Sequence, residues 1–212
     1  MEVISSVARS SEEAISSIMK LYQIERFDLD CTYSKGIFWK NLPPPKIKSD
    51  LVALSKDVIQ ADYRKLPFRD EQFSSIMFDP PFVVGGKTYN ESKLGSCLIS
   101  KRFGCFHSFE ELRDNYKSAI KELYRICTEE GILVMKTQDT VSSGKQYLSH
   151  ISAVIYAYEV GFYPIDLFIV LAQSRVNSFN GNKWKVQQHA RKYHSYFLVF
   201  KKTSRKKGII YP

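Results

Sequence analysis

The apolar run Phe73-Ser74-Ser75-Ile76-Met77-Phe78 stops abruptly at Asp79-Pro80-Pro81-Phe82, and this junction constrains the chain more than any other stretch. The run predicts a strand. Two consecutive prolines remove two backbone N–H groups and restrict φ, so neither a helix nor a ladder continues through them. The strand is therefore expected to end in a stiff turn. That turn presents a carboxylate, two carbonyl oxygens and an aromatic ring. Such acceptors suit an amino group: an NH2 can donate to Asp79 and to the Pro80 carbonyl, with Phe82 stacked on the heterocycle that carries it.

Strand and helix signals alternate around this junction. Ser11-Glu12-Glu13 precedes Ala14, Ile15, Ile18, Met19 and Leu21, a helical apolar spacing. Arg26–Cys31, Lys46–Leu51 and Asp57–Ala61 read as short strands, with Pro43-Pro44-Pro45 as a rigid connector. Leu112, Tyr116, Ile120 and Leu123 share one face of a helix over Phe109–Cys127, with Ser108 as N-cap and Glu111 in capping-box position. Gly131 ends that segment, and Ile132–Met135 reads as a buried strand. Lys136-Thr137-Gln138-Asp139 closes it, on the expected substrate side. Gln146–Val160 predicts a helix stopped by Gly161; Tyr163–Leu171 and Tyr196–Phe200 are the last strands. This alternation predicts an α/β fold with a mostly parallel sheet covered on both faces. The last two strands have no helix between them, so the final one is expected to run antiparallel. At 212 residues the chain fits a single domain, and ligands in such a sheet sit beyond the carboxyl ends of the strands.

Net charge is +9, from 31 basic and 22 acidic residues, and it is unevenly spread. Ten of the basic residues and none of the acidic ones lie in 174–212, which leaves the rest of the chain at −1. Within 174–192, Arg175, Lys183, Lys185, Arg191 and Lys192 are interleaved with Phe179 and Trp184. Cations neutralise phosphates and flat rings stack on bases, so Arg175, Lys183, Trp184, Lys185, Arg191 and Lys192 are expected to contact nucleic acid. The basic tail 201–212 reads equally as a solvated end. Residues 83–107 hold Gly85-Gly86, Gly95 and Gly104 with four cations, and are expected to form a lid over the substrate. The four cysteines form no Cys-x-x-Cys pair, and no histidine stands at ligand spacing, so no metal is expected. No apolar run approaches a membrane span and no secretory signal opens the chain, which predicts a cytoplasmic protein with reduced thiols.

The Asp79-Pro80-Pro81-Phe82 turn resembles the catalytic motif of the amino-methyltransferases of nucleic acids. These enzymes methylate exocyclic amines of bases using S-adenosylmethionine. The resemblance covers the chain from about Phe27 to Lys202. It implies a Rossmann-like methyltransferase fold with a mostly parallel seven-stranded sheet, an antiparallel last strand and helices on both faces. It also implies catalytic roles for Asp79, Pro80, Pro81 and Phe82. Asp30-Cys31-Thr32-Tyr33-Ser34-Lys35-Gly36 is similar to the family's Asp-x-x-x-Gly-x-Gly turn, with Ser34 where the first glycine is usual. On this resemblance Asp30, Thr32 and Gly36 meet the amino-acid end of the cofactor. Asp50 would bind the ribose hydroxyls, and Asp62 and Tyr63 would line the adenine pocket. Asp at the first motif position leans toward DNA adenine N6 rather than cytosine N4. Enzymes acting on rRNA or tRNA amines also carry Asp-Pro-Pro-Phe. An RNA substrate therefore stays open, as does a catalytically silent nucleic-acid-binding protein on the same fold, to which Ser34 points.

Overall fold

In chain order the elements are β1 (Val7–Ala8), α1 (Ser11–Leu21), β2 (Leu29–Asp30), a 3-10 turn (Ile37–Trp39), β3 (Ile47–Asp50), β4 (Ile59–Gln60) and β5 (Phe73–Phe78). They continue with α2 (Phe109–Ile126), β6 (Cys127–Thr137), β7 (Thr140–Ser142), β8 (Lys145–Tyr147), α3 (Ser149–Val160), β9 (Phe162–Leu171) and β10 (His194–Lys202). This computed structural model describes residues 3–82, 84, 106, 108–142, 144–172, 188–190 and 192–203. The expected lid 83–107 lies outside the described residues apart from Val84 and Phe106. So do Arg175, Lys183, Trp184, Lys185 and Arg191 of the basic connection, and the tail beyond Thr203.

Eight strands build one sheet in the order β1-β9-β10-β6-β5-β2-β3-β4. β10 runs antiparallel to both neighbours, pairing Phe197 with Lys136 of β6 and with Phe168 of β9. The pairs β2–β3, β2–β5, β3–β4, β5–β6 and β1–β9 are parallel. This is the expected architecture with one strand more than the seven expected. The addition is β1, a two-residue strand at the β9 edge, too short to show any period in the sequence.

Strand alternation divides the core in two. Ile76, Phe78, Leu133, Met135, Leu198 and Phe200 face α2 and α3, meeting Ile120, Leu123, Ala153 and Ala157. Met77, Val134, Phe197 and Val199 face the other way, onto Ala14, Ile15 and Ile18 of α1 and onto Phe27 and Trp39. Helices thus cover both faces. The β2–β3, β3–β4 and β4–β5 connections carry no α-helix, only the 3-10 turn.

Two boundaries differ from the sequence expectation. α3 begins at Ser149 rather than Gln146, because residues 145–147 pair with 140–142 as a hairpin and Tyr147 stacks on Phe109 at 4.3 Å. β6 begins at Cys127, directly after α2 and five residues before Ile132. The N-caps follow side-chain chemistry: Ser10 and Ser108 accept from the Glu13 and Glu111 backbone N–H groups. α3 ends at Gly161 with φ 112, where a Cβ would sit 2.8 Å from the Tyr124 hydroxyl.

Candidate active site

Three strand ends converge at one edge of the sheet. β2 continues into Cys31-Thr32, β5 into Asp79, and β6 carries Lys136 beside it, with Phe78 in register with Met135. The Cys31 N–H donates to the Met77 carbonyl at 3.2 Å. The Asp79 N–H donates to Thr32 Oγ1 at 2.7 Å. The Asp-Pro-Pro-Phe turn is therefore tied directly to the loop after β2. A cleft of about 500 Å³ opens between them, lined by Asp30, Thr32, Tyr33, Ser34, Phe38, Trp39, Asp79 and Lys136 and by Ser10–Glu12 at the start of α1.

Asp79 has two unlike oxygens. Oδ2 lies 3.6 Å from Lys136 Nζ, whereas the buried Oδ1 has no hydrogen-bond partner among the described residues. Burial raises the pKa of this carboxyl, and the adjacent Lys136 opposes the rise. Pro80 is buried; Pro81 and Phe82 are half-buried. The Tyr116 hydroxyl donates to the Pro81 carbonyl at 3.4 Å, which ties the turn to α2.

Asp30 is buried and accepts from Trp39 Nε1 at 2.7 Å and from the Thr32 N–H at 2.9 Å. Burial pushes its pKa up to about 7, the two hydrogen bonds pull it down, and Asp79 and Asp50 add to the rise. This carboxylate organises the loop around it. Ser34 takes φ 49, the left-handed backbone that a glycine would supply, and its N–H donates to Asp50 Oδ2 at 2.8 Å. Gly36 at φ 64 is needed for a nearer reason than ligand approach: a Cβ there would meet the Tyr33 hydroxyl at 2.5 Å. Ser34→Val puts a β-branched residue at positive φ and is expected to cost about 1–3 kcal/mol. Ser34→Gly is expected to stay within about 1 kcal/mol of wild type. Urea unfolding of both variants measures the difference.

The remaining residues singled out from sequence lie apart from this cleft. Asp50 accepts from the Ser34 and Val52 N–H groups and so braces the loop from β3. Asp62 forms a bidentate pair with Arg64, at 2.6 Å from Nη2, and this pairing holds its pKa down. The Tyr63 hydroxyl donates to Asn115 Oδ1 at 3.0 Å while its ring packs edge-on to Phe78; burial pushes its pKa up to about 12. Asp50, Asp62 and Tyr63 are not among the described residues lining the cleft. Lys192 is half-buried just before β10. Asp139 receives the His150 backbone N–H at 3.3 Å and its Nδ1 at 2.7 Å, serving the start of α3, whose N-cap Leu148 has no side-chain acceptor.

Sequence reasoning missed Trp39, Phe38 and Ser10–Glu12 as parts of the cleft. A lone tryptophan three residues after a loop glycine was the available signal for the first. The α1 N-terminus arrives only through the far edge of the sheet and leaves no local trace. Among the described residues no cluster of His, Cys, Asp and Glu could hold a metal ion, and no helix is long and apolar enough to cross a membrane.

No family model and no curated protein matches the chain. Solved structures do. A proposed sarcosine dimethylglycine methyltransferase from Galdieria sulphuraria is 11% identical over 91% of this chain and 85% of that one, with a TM-score of 0.53. The 1,6-didemethyltoxoflavin-N1-methyltransferase of Burkholderia thailandensis, solved with S-adenosylhomocysteine, is 11% identical over 92% and 80%, also at 0.53. A proposed DNA modification methylase from Thermus thermophilus is 16% identical over 72% of this chain and 55% of that one, with a TM-score of 0.45. This chain thus spans little more than half the length of the Thermus protein. The likeness to the first two establishes a Rossmann-like fold of the methyltransferase type.

Proposed function

We propose that the protein transfers a methyl group from S-adenosylmethionine to an exocyclic amino group of a base in nucleic acid, with DNA adenine N6 the foremost target. The observation that carries this reading is Asp79, which lines the same cleft as the Asp30–Gly36 loop and keeps a buried oxygen, Oδ1, without a partner among the described residues.

The residues present fit the cofactor. The Asp30–Gly36 loop and the start of α1 would hold its amino-acid end; Asp50, Asp62 and Tyr63 lie outside that cleft and would meet the nucleoside only where it extends beyond the cleft. Asp50 and Asp62 already accept from Ser34, Val52 and Arg64, so they would use their remaining lone pairs. When bound, S-adenosylmethionine supplies a methyl group made electrophilic by its sulfonium centre.

The protein's own groups then do the positioning. Asp79 Oδ1 accepts one hydrogen of the target NH2 and the Pro80 carbonyl accepts the other. This fixes the nitrogen and aims its lone pair, while Phe82 stacks on the base. Proximity and fixed acceptors account for most of the acceleration. The N–CH3 bond would form as the methyl–sulfur bond breaks and S-adenosylhomocysteine leaves, and the proton lost by the nitrogen would pass to the Asp79 carboxylate, whose pKa burial raises. A base in a duplex is flipped out to reach this site. Arg175, Lys183, Trp184, Lys185, Arg191 and Lys192 would hold the strand through phosphates and stacking.

Ser34 bears on the silent-protein alternative. Its φ of 49 supports a formed loop, so the missing glycine does not argue against cofactor binding. The test is incubation with methyl-labelled S-adenosylmethionine and separate pools of duplex DNA, single-stranded DNA and RNA, followed by nucleoside identification. Label in N6-methyl-2′-deoxyadenosine from DNA is expected. Label in RNA alone moves the substrate to RNA, and no label in any pool overturns the reading.

A further inference from the structure

Lys136 is the last cation of β6 before the strand ends, and its side chain is 16% exposed. Its ammonium lies 4.8 Å from the centre of the Phe38 ring and 5.8 Å from that of Phe197. Phe38 belongs to the 3-10 turn after β2 and Phe197 to β10; the two rings adjoin at 6.1 Å and together face the ammonium. The group it reaches is Asp79 Oδ2, at 3.6 Å. The other oxygen of the same carboxylate is buried and unpartnered among the described residues.

We propose that Lys136 is a positioning residue for methyl transfer: it holds Asp79 by Oδ2 and thereby leaves Oδ1 without a partner, as the acceptor for the amino hydrogen of the target base. This rests on the function proposed above and adds a residue that the Asp-Pro-Pro-Phe motif does not contain.

Two physical consequences follow from the geometry. A carboxylate held at one oxygen cannot rotate freely, so Oδ1 keeps one direction before the substrate arrives. The ammonium also favours the ionised acceptor, against burial and against the other charges nearby. The groups facing Asp79 are Asp30 from β2, Tyr116 from α2 and Lys136 from β6, with Glu12, Tyr33, Lys35 and Lys40 lining the same cleft. Asp30, when ionised, disfavours charge on Asp79. Lys136 is the cation that Asp79 meets among the described residues.

The sign is therefore defined. Without Lys136 the Asp79 carboxyl holds its proton to higher pH, and a protonated Asp79 cannot accept the amine proton. Lys136→Met is expected to move the Asp79 titration up by at least about one pH unit, read from carboxyl carbon chemical shifts in the unliganded protein. It is expected to lower kcat at neutral pH by about 10- to 100-fold and to shift the acid limb of the pH–rate profile upward by the same interval. S-adenosylmethionine affinity is expected to stay within about threefold of wild type, since the change falls on the acceptor and not on the loop. Lys136→Arg keeps a charge against the same rings and is expected to keep the wild-type titration.

An unchanged Asp79 midpoint in Lys136→Met overturns the proposal. So does a loss of cofactor affinity in proportion to the loss of turnover, which would make Lys136 a cofactor contact. A midpoint in Lys136→Arg that matches Lys136→Met would also overturn it. If wild type labels no nucleic acid, the proposed function fails separately, and the titration still decides whether Lys136 governs Asp79.

Discussion

Asp79→Ala is expected to lower methyl transfer by about 10³-fold or more, because under the proposed function it removes both the amine acceptor and the group that takes the proton. The Asp30–Gly36 loop should survive. Asp79 meets that loop through its backbone N–H, which donates to Thr32 Oγ1, and the substitution leaves this N–H in place. S-adenosylmethionine binding, measured by calorimetry, is therefore expected to stay within about tenfold of wild type. Asp79→Asn separates the two roles. Its amide keeps one acceptor oxygen but cannot hold the proton and loses the pairing with Lys136, so a loss of about 10²-fold is expected. Wild-type turnover in either variant would show that the chemistry lies elsewhere. A thermal unfolding check distinguishes lost function from a lost fold. Removing a carboxylate that burial already disfavours should not lower stability.

Trp39→Ala is expected to carry the largest stability cost, about 3–5 kcal/mol. Trp39 is 6% exposed, packs edge-on to Phe27 at 5.6 Å and supplies the Nε1–H that Asp30 Oδ2 accepts. Truncation leaves a cavity between α1 and the sheet and strands a buried carboxylate. Trp39→Phe keeps an aromatic ring but loses the N–H together with the pyrrole part of the indole, so a smaller cavity accompanies the lost donor, which alone is worth about 1–3 kcal/mol. Its pH dependence has a definite sign. Asp30 in the folded protein has its pKa raised to about 7, against about 3.9 in the unfolded chain. Between those values the folded state binds more protons than the unfolded one. The stability tied to Asp30 is therefore complete below about pH 4 and is lost as pH rises through about 7. The Trp39 N–H favours the ionised form, so losing it raises the folded pKa further. Trp39→Phe should be more damaging at pH 8 than at pH 5, and urea titrations at the two pH values measure this. An equal loss at both would mean that the indole N–H does not support the Asp30 charge.

Legibility from sequence followed the reach of each signal. β5 was plain because its apolar run and the two prolines are local, as were α2 with its Ser108 cap and the Gly161 stop. β1 and the β7–β8 hairpin were not, since strands of two or three residues show no period and form only because β9 and each other are present. Asp79 could be singled out from its neighbours in the chain. Lys136 could not be assigned to it, because the two meet only through the β5–β6 register.

Local residues set the alternation of strands and helices, the antiparallel last strand and the stiff Asp-Pro-Pro-Phe turn, because each depends on backbone limits and apolar spacing over a short stretch. The gathering of positive charge after residue 173 is likewise plain in the chain. What the acids do depends instead on contacts across the sheet. Asp30 carries Trp39, Asp50 braces Ser34, Asp62 pairs with Arg64, and Asp79 alone among these four keeps an oxygen without a partner among the described residues. The physical reason is that a carboxylate's role depends on which donors surround it and how much water is excluded. Both are set by strand register across the sheet, and neither is written in the residues beside it.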